Sequence, residues 1–320
     1  MSKDKVKNSV WYVLGKGIKI YFSNIDKFVV YMLFPVFGQI LGLVLCFGLT
    51  LGFSDKVAQK AATPSMAIVY ILLLALPGLL IFFKAFWDYM VAYVALNSMT
   101  EGAWTTGRVY DFRSHNEVAT RRTGQYIAFL LIVGFLSLCA VICSIIPIFG
   151  LIPPVIIWIY LILVFQIFTF EPELSPRACF RRSFELVKGD WGRTFVLMLV
   201  LVFFSIYIIT QGVTVIFDYL HLTDILASNF DFIGNGLPLH VINRGFEYLN
   251  LPVSITVNMI SVLIMTSFVS VIVSEFTLPI RSICYSLWYK NLSEIKVGQS
   301  KISTKKYKKT VSKNTDKDKE

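Results

Sequence analysis

Residues Thr123 to Phe170 read TGQYIAFLLIVGFLSLCAVICSIIPIFGLIPPVIIWIYLILVFQIFTF, 48 consecutive positions without a charge. As one helix this stretch would be about 72 Å long, more than twice the roughly 30 Å hydrocarbon core of a bilayer. It must fold back. The break is legible at Ile146-Pro147-Ile148-Phe149-Gly150-Leu151-Ile152-Pro153-Pro154. Proline removes helix hydrogen bonds there, and glycine loosens the turn. The stretch therefore predicts two membrane helices joined as a tight hairpin.

Outward from this hairpin the pattern repeats. Phe28 to Phe53 carries no charge, and Met66 to Phe83 is uncharged with an apolar pattern continuing to Ser98. Thr194 to Phe217 and Tyr248 to Ser274 add two more runs. The expected spans are 28–53, 66–98, 124–147, 151–170, 192–217 and 249–285. The runs are continuous rather than alternating, which excludes a barrel. Composition agrees: 56 % of the 320 residues are hydrophobic and only 16 % charged. A soluble globule cannot hide that much apolar surface behind so few charges. A wholly disordered chain is excluded for the same reason.

The net charge of +10 is placed asymmetrically. Twenty-five Lys and Arg fall in the first 27 residues, the 100–122 and 171–193 loops and the tail from 286, against Lys56, Lys60 and Arg244 on the other side. By the positive-inside rule both termini are cytoplasmic. The basic charge sets topology and favours an anionic inner leaflet, so no nucleic-acid partner is expected. The tail 290–320 reads as a basic disordered segment. No cleavable signal peptide is evident at the N-terminus.

Amphipathic stretches precede spans 1, 3 and 5. In residues 1–27, Trp11, Leu14, Ile18, Phe22 and Ile25 share one helical stripe, and Lys16, Lys19, Ser23 and Lys27 another. This is the pattern of an interfacial helix. Ser114-His115-Asn116-Glu117 has capping-box spacing and predicts a helix that runs through Arg121 into span 3. Before span 5, Ser175 is placed to cap and Pro176 suits the first helical position. Phe180, Phe184 and Val187 form an apolar stripe there. Arg177, Arg181, Arg182, Glu185 and Lys188 are expected to face headgroups, and Gly189 to end the helix. Arg177, Arg181, Arg182 and Lys188 are the candidate contacts for anionic lipid. The segment 218–247 is the one sizeable outer loop, read as an interfacial helix.

Candidate chemistry is sparse. Lys84, Asp88, Glu275 and Arg281 are the charges inside apolar spans, and such charges are functional candidates by default. Their depth places all four near the cytoplasmic interface. They fit a polar layer with snorkelling side chains, or the lining of an inward-facing vestibule in which nearby arginines suit a phosphate headgroup. Lys84 and Asp88 are spaced to pair on one helix face. The midplane polar residues Gln39, Ser137, Ser205, Thr266 and Ser267 read as helix-packing groups. Pro77-Gly78 marks a kink in span 2. The five cysteines are scattered and read as small core residues. No catalytic constellation, metal-ligand cluster or cofactor motif is present in the sequence, so no catalytic residue, metal or cofactor is assigned.

The stretch Ser175-Pro176-Arg177-Ala178-Cys179-Phe180-Arg181-Arg182-Ser183-Phe184-Glu185-Leu186-Val187-Lys188-Gly189-Asp190-Trp191 resembles a signature of six-span bacterial membrane proteins. Leu278-Pro279-Ile280 followed by Ile283-Cys284-Tyr285 resembles their close of span 6. The families are the glycerophosphoryl diester phosphodiesterase membrane domain and related uncharacterised six-span families. About 30 residues carry the match. The acidic and arginine residues that usually follow the tyrosines are replaced here by Ser286-Leu287-Trp288-Tyr289-Lys290-Asn291. In that family the phosphodiesterase activity belongs to a separate soluble barrel, for which this tail leaves no room. The resemblance implies a membrane module without the enzyme.

The sequence thus predicts an all-α integral membrane protein of the bacterial cytoplasmic membrane. Its six transmembrane helices occupy 28–289, with amphipathic elbow helices on the cytoplasmic side. The expected role is a non-enzymatic scaffold or accessory module for envelope or lipid-associated processes, with inner-leaflet lipid and an unidentified protein as partners. The alternative is a transporter or lipid-handling protein with a cytoplasm-facing vestibule.

Overall fold

The structure is a computed structural model that describes residues 9–109, 111–144, 150, 152–248, 252 and 254–296. No strand occurs among the described residues. Six helices are long and apolar enough to cross a membrane: Ile25–Thr50, Pro64–Thr105, Thr123–Ser144, Ile152–Phe170, Trp191–Tyr219 and Val257–Phe276. The all-α six-span class expected from the sequence is the class observed. The helix-breaking Pro147 and the rest of 145–149, with Leu151, lie outside the described residues, as does the tail from 297.

In chain order the helices are α1 (Val10–Ser23), α2 (Ile25–Gly52), α3 (Ser54–Lys60), α4 (Pro64–Thr105) and α5 (Phe112–Thr120). There follow α6 (Thr123–Ser144), α7 (Ile152–Leu161), α8 (Val164–Phe170), α9 (Pro176–Val187) and α10 (Trp191–Val202). A π-helical turn at Phe203–Ile208 leads into α11 (Ile209–Tyr219). Then come α12 (Leu222–Ala227), α13 (Asp231–Gly236), α14 (Leu239–Tyr248), α15 (Val257–Phe276) and α16, the helix over 278–296. They form two compact units, one of residues up to Met198 and from Pro279 on, the other Leu199–Leu278.

In the first unit α2 crosses α4 at backbone contact. A Cβ on Gly42 would lie 2.6 Å from the Phe82 nitrogen, and one on Gly38 would lie 2.6 Å from the Ala85 Cβ. Small residues at such crossings let membrane helices approach closely. Pro77 sits inside α4, which runs on uninterrupted to Thr105. The helix is not broken at Pro77-Gly78, and Gly78 packs against the α2 backbone at Gly42 and Cys46. Span 2 also extends seven residues beyond the expected Ser98. The core of this unit is aromatic. Tyr126, Phe129 and Phe168 are fully buried, with Phe129 and Phe168 ring centroids 5.0 Å apart. Residues facing outward from the spans, such as Leu131 and Phe135, are exposed and apolar, as lipid contact requires.

In the second unit Ala227 packs against Met265, Val269 and Val273, with Val213, Phe217, Phe230 and Val262 around them. Asp231 accepts a hydrogen bond from Ser261 Oγ at 2.7 Å, and Asn243 makes two hydrogen bonds to the backbone of Ile255. The 218–247 segment is helical, as several short helices rather than a single one. The π-helical turn has a partner: Thr277 Oγ1 donates to the Ser205 carbonyl at 3.1 Å, an oxygen at a turn that breaks the regular α-ladder.

Further boundaries differ from the sequence reading. Span 6 starts at Val257, capped by Thr256 accepting from Met259 N, and ends at Phe276. A turn at Thr277 separates it from α16, which has Pro279 in its first turn, where the missing N–H costs nothing. α16 then continues to 296, so residues 290–296 are helical rather than the start of a tail. The capping box expected at Ser114 is not used. α5 starts at Phe112 after Asp111, Ser114 Oγ bonds the Asp111 carbonyl, and a turn at 121–122 divides α5 from α6. Ser114 lies inside the first turn, where its hydroxyl is claimed by the backbone behind it.

Candidate functional site

α1 has three faces. Val10, Val13, Leu14, Gly17 and Tyr21 are buried. Trp11, Ile18 and Phe22 are exposed, Trp11 at 70 %, as is Ile25 at the start of α2. Tyr12, Lys16, Lys19, Ile20 and Ser23 line a cavity of about 650 Å³, together with Gly15, Asn24, Ala103, Trp104 and Gly107. Ser9 caps the helix by accepting from Tyr12 N. The sequence stripe thus divides: Leu14 turns inward and the other four face out. The arrangement suits a helix held by protein on one side and membrane on another.

Trp104, near the end of α4, gathers charge. Lys16 Nζ lies 4.1 Å from its ring centroid and Lys290 Nζ 4.4 Å, both within cation–π range. Lys290 also bonds Glu101 at 3.0 Å. One aromatic residue therefore orients ammonium groups from α1 and α16.

The elbow helix α9 begins as expected, with Ser175 accepting from Ala178 N and Pro176 in the first turn. It stops before Gly189, whose φ of +98° only glycine adopts easily. Cys179, Ser183, Leu186 and Val187 are its buried face. Burial pushes the Cys179 thiol up to about 11, so it stays protonated. Arg177 and Lys188 are exposed, and Arg181 is engaged with Glu185 at 3.0 Å along the helix surface. Arg182 turns toward Glu171 instead of outward: its Nε donates to Glu171 Oε1 at 3.1 Å, and Tyr289 OH donates to the same oxygen at 2.8 Å. Glu171 follows the C-terminus of α8, so one carboxylate ties α8, α9 and α16. Arg122 does similar work at the hairpin base. It donates to the carbonyls of Pro172 (2.8 Å) and Phe168 (3.3 Å) and lies 4.1 Å from the Phe168 ring centroid. Cations suit the carbonyl end of a helix.

Of the four span charges, Lys84 and Asp88 are brought together as an i,i+4 salt bridge with both side chains well exposed. Arg281 belongs to the first unit and Glu275, which is buried, to the second. Four of the midplane polar residues bond back along their own spans: Gln39 to Pro35 O (3.3 Å), Ser137 to Val133 O (2.8 Å), Ser205 to Leu201 O and Ser267 to Leu263 O (2.8 Å).

The sequence reading missed the main buried polar cluster. Asn97 Oδ1 accepts from Gln166 Nε2 (3.2 Å), Ser282 Oγ (2.6 Å) and Ser286 Oγ (3.1 Å). Its Nδ2 donates to Tyr93 O (3.0 Å) and Thr169 Oγ1 (3.2 Å). Asn97 is fully buried. A signal existed: Ser282 and Ser286 are spaced i,i+4 and Gln166 and Thr169 i,i+3, each pair on one helical face. The arrangement is fully directional and has the character of a structural lock between α4, α8 and α16. Among the described residues no group of His, Cys, Asp and Glu could hold a metal ion.

The class these features define is a multi-pass α-helical membrane protein with amphipathic helices packed on its bundle. Searches of family models, of curated proteins and of solved structures find no match to the chain.

Proposed function

We propose that the protein is a non-enzymatic module of a bacterial cytoplasmic membrane, with both termini cytoplasmic, that scaffolds or assists envelope or lipid-associated processes. It is a membrane module of the kind that the 175–191 stretch resembles. The observation that carries this reading is α1, an amphipathic helix docked through Val13, Leu14 and Tyr21 with Trp11, Ile18 and Phe22 left exposed beside Lys16 and Lys19. Such a helix grips an anionic leaflet rather than crossing it. The exposed Arg177 and Lys188 near α9 supply a second basic contact. A transporter would need Lys84 and Asp88 to be available to a substrate. Their pairing along the α4 surface fits the polar-layer reading of these charges.

Extraction of the full chain into native lipid discs, with mass spectrometry of what copurifies, tests this. A stoichiometric protein partner within an anionic lipid shell is the expected result, unchanged in Asp88→Asn and Glu275→Gln. A solute or lipid that is enriched at one per chain and lost in those two variants would overturn it in favour of transport or lipid handling.

A further inference from the structure

We propose that the cavity between α1 and the end of α4 is a site for one anionic glycerophospholipid, with the phosphate headgroup between Lys16, Lys19 and Trp104. The inference rests on the reading of α1 as an inner-leaflet helix and gives that contact a specific seat.

The chemistry of the lining points to phosphate. The cavity of about 650 Å³ falls within the range of about 300–1,000 Å³ typical of small-ligand sites. Its lining holds two lysines, a tyrosine, a serine, an asparagine and a tryptophan, and no carboxylate among the described residues. Lys16 is held in place over Trp104, so its ammonium is oriented before a ligand arrives. Lysine binds phosphate as a point charge and tolerates varied headgroup geometry.

The geometry of α1 points to a lipid rather than a free anion. At about 100° per residue, Tyr12, Lys16, Lys19 and Ser23 share one face. Trp11, Ile18 and Phe22 occupy the neighbouring face about 110° away. Gly15 lies between them, is exposed, and has nothing within 4 Å of where a Cβ would sit. A gap at Gly15 therefore joins a basic cavity to an apolar exposed stripe. A phosphate seated among the lysines would send its acyl chains over Gly15 and along Trp11, Ile18 and Phe22. A soluble anion would have no use for that stripe.

The test uses the full chain in detergent and native mass spectrometry. The probes are phosphatidylglycerol, phosphatidylcholine, glycerol 3-phosphate and inorganic phosphate. The expected result is one phosphatidylglycerol retained per chain in preference to phosphatidylcholine. Affinity should fall at least tenfold in the Lys16→Gln/Lys19→Gln double variant. It should fall similarly in Gly15→Leu, which fills the gap and keeps both charges. Lys60→Gln, exposed and outside the lining, should bind as the parent does. Retention of the lipid at full affinity by both Gly15→Leu and the double variant would overturn the site while leaving the broader leaflet reading intact. Displacement of the lipid by glycerol 3-phosphate or inorganic phosphate at comparable affinity would overturn the lipid assignment in favour of a free anion. No preference for phosphatidylglycerol in the parent chain would overturn both this inference and the leaflet reading.

Discussion

Gly42 and Gly78 bring α2 and α4 into backbone contact: a Cβ on Gly78 would lie 2.3 Å from the Cys46 nitrogen and 2.6 Å from the Gly42 carbonyl oxygen. Both clashes are with backbone, so no side-chain rotation relieves them. Gly78→Ala should therefore push the helices apart and destabilise the protein by about 1–3 kcal/mol, the range for overpacking. Gly48→Ala in the same α2 meets nothing within 4 Å and should be neutral or slightly stabilising. Thermal unfolding in detergent, followed by fluorescence-detected size exclusion, compares the two. Equal effects would show that the crossing is not sterically tight.

Asn97 is the second seam, built from polar groups instead of small ones. Replacing it with alanine strands the Gln166 amide and the Ser282 and Ser286 hydroxyls at once. Each buried group left without a partner costs about 1–3 kcal/mol. Ser286→Ala removes one donor and leaves Asn97 Oδ1 two others, so it should cost about 1 kcal/mol or less. The ordering Asn97→Ala well below Ser286→Ala in melting temperature is the expected outcome. A reversed ordering would show that Asn97 is not the hub.

His115 makes stability depend on pH. It is buried in α5, with Nδ1 2.9 Å from Ser98 Oγ, and burial outweighs the nearby Asp111 carboxylate to hold its pKa below the ordinary 6.5. The folded state therefore prefers neutral imidazole, and the unfolded state binds the proton first. The stability associated with the neutral ring is complete above pH 6.5 and is lost as pH falls toward the lowered folded value. The melting temperature should fall between pH 7.5 and 5.5, and this fall should be shallower in His115→Gln. An equal slope in the variant would assign the pH dependence to other groups.

The spans were legible because each lipid-facing helix announces itself by length and lack of charge, and Ser175-Pro176 gave the α9 start to the residue. What stayed hidden has a common cause. Asn97, Gln166, Ser282 and Ser286 are distant in sequence and are weak signals singly. Only packing reveals that one amide serves them all. Arg182 looked like its neighbours Arg177 and Arg181 because helical position alone does not disclose Glu171, eleven residues back, waiting at the end of α8. The division of α15 from α16 was masked by apolar residues on both sides of Thr277, although Pro279 marked the place.

Topology gives the last prediction. The positive-inside reading puts α5 in the cytoplasm and the α12 to α14 segment outside. Ser114 and Ser228 are exposed representatives of the two sides. In a background with Cys46, Cys139 and Cys143 changed to serine, the remaining Cys179 and Cys284 are buried and should resist labelling. Ser228→Cys should then react with a membrane-impermeant maleimide in intact cells. Ser114→Cys should react only after permeabilisation. The opposite pattern would invert the protein and place the basic helices, with the cavity under α1, against the outer leaflet. There the anionic-lipid argument built on Lys16 and Lys19 would lose its supply of ligand.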